Sequence, residues 1–350
     1  MSYFDHAATS PLRAVARQAW VEASTYNPGG QYALGRKARA AVSQAREDIA
    51  ELLDCEPIEV IFTASGTESN NIALRGLYRE GTVLASPIEH PSVAEVLKML
   101  PVRYLPVSAS GHVQPSYDGE SMITCMLANN ETGAIQPVAE LASYGVPLHV
   151  DAVQAIGHIP VSFRQLGATT LTVAAHKFGG PRVGLLLARR SPALTPYLVG
   201  GGQERGIRPG TVDVAGAVAT AAALKEACAE MKAETIRLAA LRDRIQAGVA
   251  GICNTHEPAL PGHLSMSFPG ALGDSLIMLL DMHGIAASTG SACSNGVNRA
   301  STTLLAMGVS EDLAKCTLRF TLGATTTAED VDKLLAILPE VVSQARTAGL

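Results

Sequence analysis

The chain has 350 residues, 47% of them apolar and 17% charged, with a formal net charge of −5. This is globular and not disordered composition, and at roughly 100–200 residues per domain the length suggests two domains with ample core. The mildly acidic balance argues against nucleic acid or an anionic membrane as the main partner. The six cysteines (55, 125, 228, 253, 293 and 316) are too few for a disulfide framework and form no C-x-x-C pair of the structural-zinc or iron–sulfur kind.

The opening residues, Met1 to Asp5, lack the basic region and apolar run of a signal peptide. Between 36 and 190, apolar runs at 60–63, 82–86, 102–107, 122–127, 146–150, 170–174 and 183–188 alternate with helical patterns at 36–54, 68–78, 92–100 and 138–144. Continuous apolar strands separated by helices predict a mostly parallel sheet of seven strands covered on both faces. Residues 190–211, rich in Gly and Pro, predict an irregular crossing, and 212–250 one long helix of the kind that links two lobes. The remainder reads as an α+β lobe, with strands at 263–268 and 316–322 and helices near 274–283, 299–307 and 328–346. The longest uncharged stretch, 282–298, is full of Ser, Gly and Asn, so no segment reads as a membrane span and a cytoplasmic protein is expected.

Five segments carry polar residues where the pattern is otherwise apolar. Residues 62–71 run from a strand through small residues into a helix, whose free N–H groups and the Thr67 hydroxyl attract an anion such as phosphate. An ordinary turn capped by Ser65 and Thr67 reads equally well. Asp151 ends an apolar strand, with Gln154 three residues on. It either caps a helix or points into the crevice at the carboxyl edge of a parallel sheet, where a cation must pair with it. Lys177 follows another strand, between His176 and a Gly-Gly-Pro turn. It is either a solvated turn lysine or a half-buried nucleophile toward aldehydes. Cys293 sits among Ser, Gly, Ala and Asn in what must be a loop, with an accessible thiol, whereas the other five cysteines have apolar neighbours. Arg319 is embedded in a strand and either pairs with a buried acid or clamps a carboxylate. In this order (phosphate cup, strand-end Asp, lysine 26 residues later, distal Arg) the segments are the parts of a pyridoxal phosphate site.

Over nearly its whole length the sequence resembles the NifS/IscS-type cysteine desulfurases of the class V aminotransferase group. The resemblance rests on Asp5-His6-Ala7-Ala8-Thr9, Asn27-Pro28-Gly29-Gly30, residues 63–71, Ile88-Glu89-His90, Asn129-Asn130-Glu131-Thr132-Gly133, residues 149–154, His176-Lys177, residues 200–211 and Ser288-Thr289-Gly290-Ser291-Ala292-Cys293. It implies the α/β fold type I of pyridoxal-phosphate-dependent transferases, with a large cofactor domain over 12–233 and a smaller α+β domain from 1–11 and 234–350. It implies that Lys177 bonds the cofactor and later moves protons, that Asp151 pairs with the pyridine nitrogen, and that His90 stacks on the ring and assists proton transfer. Gln154 would meet the phenolic oxygen, Gly66, Thr67 and His176 the phosphate, and Thr211 the phosphate of a neighbouring subunit in a homodimer. Asn130 and Arg319 would hold the substrate carboxylate. Cys293 would take sulfur from L-cysteine as a persulfide, releasing L-alanine, for delivery to an acceptor protein in iron–sulfur cluster assembly or thiolation. No metal is implied.

Two departures stand out. Where the family often has a phosphate-binding Ser three residues before the lysine, this chain has Ala174, and the chain ends soon after its last helix, without the tail that helps longer members dock a scaffold. Another class V aminotransferase or lyase, or a non-catalytic subunit, are the competing readings. An aminotransferase needs no accessible Cys293, and a degenerate subunit has no use for Lys177, Asp151, Arg319 and Cys293 together.

Overall fold

The computed structural model describes residues 1–23, 25–290 and 300–348. A short strand β1 (Ser2–Tyr3) is followed by α1 (Ala14–Glu22) and α2 (Ala33–Leu52). Then come β2 (Val60–Thr63), α3 (Gly66–Leu77), β3 (Val83–Ala85), α4 (Pro91–Leu97), β4 (Val102–Tyr104), β5 (Met122–Thr124), α5 (Val138–Ala142), β6 (Leu148–Asp151), α6 (Phe163–Leu166), β7 (Thr170–Ala174) and β8 (Gly184–Ala188). The long α7 (Val214–Gly248) leads to β9 (Ile252–Cys253), β10 (His263–Ser267), α8 (Gly273–Met282), β11 (Ile285–Ala286), α9 (Thr302–Ala306), α10 (Glu311–Lys315), β12 (Thr317–Thr321) and α11 (Ala328–Ala348).

The seven predicted strands form one sheet in the order β2-β8-β7-β6-β5-β3-β4. Pairs β7–β6, β6–β5, β5–β3 and β3–β4 are parallel, and β8 runs antiparallel to both β7 and β2. Because β8 is the one reversed strand, β2, β3, β5, β6 and β7 all end on the same edge. The segments 64–67, 88–90, 128–130, 151–154 and 175–177 leave the sheet there. Strands of this sheet such as β7 and β8 are buried at every position, as expected for a sheet covered on both faces.

The local start signals are explicit. The Ser65 hydroxyl accepts from Glu68 N at 3.2 Å, capping α3, and the Glu68 carboxylate reaches back to take the N–H of Ala64. His90 caps α4 with Pro91 as its first helical residue. Gly179, at φ +83°, closes the turn behind Lys177, and a Cβ there would lie 2.7 Å from Arg13 Cγ.

Two apolar clusters flank the sheet: one holds α2, α7 residues such as Ala217 and Leu224, and the sheet face they cover, and the other holds α3, α4 and the opposite face. A third is built from Phe4, Leu238, Ile245 and residues 264–345. The 35-residue α7 joins them, its Ala-rich first half packed on the sheet and Leu238 and Ile245 of its second half in the third cluster. A three-stranded antiparallel sheet, β12-β10-β9, lies within that C-terminal cluster, and β1 pairs with β11.

Candidate active site

The ends of those strands surround a cavity of about 220 Å³, lined by Gly66, Thr67, His90, Asn130, Asp151, Gln154, His176 and Lys177 among others. Eight of the sequence-predicted site residues thus meet in one place. At its floor, Asp151 is buried at the end of β6. Its Oδ2 accepts from Asn70 Nδ2 at 2.8 Å and its Oδ1 from Val153 N at 3.0 Å. Gln154, also buried, donates to Ala7 O at 3.0 Å.

Lys177 sits in the single 3₁₀ turn after β7. Its Nζ donates to Ala7 O at 2.6 Å and Ala8 O at 3.0 Å, so the N-terminal segment holds the amine over the sheet edge. Burial, and then the Arg319 charge, push its pKa from 10.5 down to about 8, with Asp151 and Asp5 opposing. His176 Nδ1 lies 3.2 Å from Thr9 Oγ1, and burial with the nearby Lys177 and Arg182 charges pushes its imidazole down to about 4. His90 lines the cavity with its Nδ1 turned to its own helix, accepting from Ser92 N at 3.1 Å. Burial lowers its pKa.

At the N-terminus of α3, the N–H groups of Gly66 and Thr67 have no hydrogen-bond partner among the described residues. A Cβ on Gly66 would lie 3.2 Å from Val153 Cγ2 and 3.3 Å from Ala174 Cβ, so only glycine keeps this cradle open. An anion is favoured there by the helix terminus. The cavity therefore offers anion-binding N–H groups, a buried carboxylate with no cation bonded to it, and between them an amine poised to titrate near neutrality.

Arg319, on β12, has its side chain 6% exposed. Its Nη2 donates to Asp5 Oδ1 at 2.6 Å and its Nη1 to Asn130 O at 2.9 Å, while Nε is buried without a partner among the described residues. Of the two sequence readings of this residue, the pairing with an acid is seen, with the half-buried Asp5. Thr211 is exposed and lies outside the cavity, in a separate depression with Thr63, Ala64, Arg182 and Arg208. Cys293 lies outside the described residues. Of the other five cysteines, Cys125 and Cys316 are buried and the rest half-buried. Burial raises the thiol pKa of Cys55 to about 12, and raises those of Cys125, Cys228 and Cys253 as well.

Sequence reasoning passed over Asp5, Asn70, Ser92 and the carbonyl of Ala7. One of them left a signal: Asn70 falls one turn after Gly66, on the face of α3 that carries Ala73, Leu74 and Leu77, where a polar residue needs a buried partner.

The fold, with a lysine and an aspartate at the edge of a sheet beside a helix-bound anion site, defines the class. The class-V aminotransferase family model matches residues 2–334. The chain is 41% identical to an IscS-like cysteine desulfurase of Mycobacterium tuberculosis, covering 100% of this chain and 98% of that protein. A solved NifS-like protein superposes with a TM-score of 0.92 at 33% identity, covering 98% of this chain and 100% of its own. A structure described as SspA in complex with cysteine gives a TM-score of 0.81 at 28% identity over 92% of this chain and 99% of that one. The chain belongs to the class-V aminotransferase family, in its NifS/IscS-type cysteine desulfurase branch.

Proposed function

We propose that the chain is a pyridoxal-phosphate-dependent L-cysteine desulfurase. One observation carries the reading: Lys177, Asp151 and the open N-terminus of α3 line a single cavity. The cofactor, when bound, supplies an electron sink for the substrate's α and β carbons. The residues divide the remaining work. Gly66, Thr67 and His176 would hold the phosphate, Asp151 would pair with the ring nitrogen, and Gln154 would meet the phenolic oxygen. Lys177, titrating near 8, would anchor the group through its amine and hold or release a proton at the substrate's α carbon. Arg319 Nε, free and buried, takes the substrate carboxylate beside Asn130.

Cys293 is the sulfur acceptor. Its thiolate bonds the substrate sulfur as the carbon–sulfur bond breaks, and the substrate carbon takes a proton, so L-cysteine leaves as L-alanine and the sulfur remains as a persulfide. No outside oxidant is needed. The persulfide then passes to an acceptor protein of an iron–sulfur or thiolation pathway in the cytoplasm. The exposed position of Thr211, outside its own cavity, supports a homodimer in which it reaches the neighbouring phosphate. Residues 12–233 form the cofactor domain, and 1–11 with 234–350 the smaller one. No helix among the described residues is long and apolar enough to cross a membrane.

The test is direct. Protein loaded with pyridoxal phosphate, given L-cysteine and a reductant, should release sulfide and alanine in equal amounts. Alanine without sulfide, or neither product, would refute the assignment.

A further inference from the structure

One buried amide connects two sides of the cavity. Asn70 is 1% exposed. Its Nδ2 donates to Asp151 Oδ2 at 2.8 Å and to Ser92 Oγ at 2.8 Å, and its Oδ1 meets His149 Nε2 at 3.0 Å. The direction of every bond follows from the first. A carboxylate accepts, so Nδ2 must face Asp151 and Oδ1 must face His149. His149 therefore carries its proton on Nε2, and its Nδ1 accepts from Thr170 Oγ1 at 2.9 Å. Burial pushes the His149 imidazole down to about 3, so it stays neutral and the bond does not reverse.

On the other branch, Ser92 Oγ accepts a hydrogen bond from Asn70 Nδ2 and donates its own O–H to His90 Nδ1 at 2.8 Å. The backbone N–H of Ser92 points at the same nitrogen at 3.1 Å. His90 Nδ1 thus accepts twice, and the proton of the neutral ring sits on Nε2. A charged imidazole would place an N–H against two donors at a helix N-terminus, which disfavours it. Burial, and then the Asp151 charge, push the neighbouring Glu89 carboxyl well above the usual range. Lys177 and His90 are the remaining titratable groups at the Asp151 carboxylate.

We propose that Asn70 is a positioning residue for the cofactor ring: its amide fixes the Asp151 carboxylate and, through Ser92, the neutral Nε2–H form of His90. The Asp151 carboxylate then depends on this one side chain, which also orients the Ser92 hydroxyl that joins Ser92 N in keeping the His90 proton on Nε2. The proposal rests on the pyridoxal phosphate reading, and the experiment separates the two. Wild type, Asn70→Ala, Asn70→Asp and Ser92→Ala are stripped of cofactor and titrated with pyridoxal phosphate. Visible absorbance is followed against pH, and the borohydride-reduced adduct at Lys177 is weighed by mass spectrometry.

A wild type that forms no adduct overturns the cofactor reading and the proposal with it. With the wild type loaded, Asn70→Ala should raise the dissociation constant about 10- to 100-fold, the span for a lost hydrogen bond to a charged group. The pH midpoint of the absorbance band should also move by about one unit. Ser92→Ala keeps the bond to Asp151 and should change the dissociation constant by less than about threefold. Asn70→Asp has the same shape but sets a second carboxyl against Asp151, so the two share a proton; affinity should fall as in Asn70→Ala and the midpoint should move, which decides the matter if the alanine variant does not fold. A packing role alone would lower thermal stability without moving the midpoint. Unchanged affinity and midpoint in folded Asn70→Asp, or a Ser92→Ala loss as large as that of Asn70→Ala, overturns the proposal.

Discussion

The pH at which Lys177 captures its aldehyde is a quantity the structure sets. An amine at the ordinary 10.5 is neutral at pH 7 in roughly one molecule in three thousand, but at about 8 in roughly one in ten, a gain of about 300-fold in nucleophile. Burial is the larger cause and the Arg319 charge the next. Since the shift is downward, the reactive fraction rises with pH through about 8 and saturates above it. Protein freed of cofactor is mixed with excess pyridoxal phosphate, and the growth of visible absorbance is timed from acid to alkaline pH. The same aldehyde reacting with a free model amine divides out its own titration. The normalised rate should climb about tenfold per unit at low pH and flatten above about 8.5. In Arg319→Met the flattening should move to higher pH, because a repelling cation is gone. A rate still climbing about tenfold per unit beyond pH 9 would refute the claim that burial activates this lysine.

Further tests address other groups. Arg319→Lys replaces a planar fork with a single nitrogen, which cannot span Asp5 and Asn130 O as the fork does while presenting a separate donor atom to a carboxylate, so the KM for L-cysteine should rise about 10- to 100-fold with a smaller change in kcat, and an unchanged KM removes the clamp. Ala174→Ser places a hydroxyl beside the open end of α3 and should tighten cofactor binding about 5- to 10-fold by titration; equal affinity would contradict a lost phosphate contact at this position. Cys293→Ser should cut sulfide release at least about 100-fold with cofactor loading intact, whereas full-rate release ends the role given to that thiol. Glu89 has a raised folded-state pKa, so its share of stability is full below 4.5 and is lost as pH rises. Glu89→Gln removes that dependence, and its Tm relative to wild type should improve from about pH 5 to pH 8; a constant difference refutes the buried neutral acid.

Most elements were legible locally. All seven strands of the main sheet lie where apolar runs predict them, and α7 (Val214–Gly248) fills the predicted 212–250. Helix α1 escaped because it buries only Ala16 and so shows no apolar stripe. The two-residue strands β1, β9 and β11 are too short for a period to register. The site residues next to strand ends were readable for the same local reason, since turn chemistry and strand termination are written in neighbouring residues.

What a single sequence determines here is therefore the inventory: which strands exist, and that Gly66, Asp151 and Lys177 each leave a strand at its carboxyl end. The tertiary structure decides the pairings. Asp5 meets Arg319 across 314 residues, Asn70 meets Asp151 across 81, and Lys177 Nζ finds Ala7 O across 170. Those contacts depend on strand order and on the reversal of β8, which bring distant chain ends to one sheet edge. Apart from the half-exposed edge strand β4, no local pattern encodes that order, because the other six strands are buried at every position and their places are settled by packing of the whole sheet.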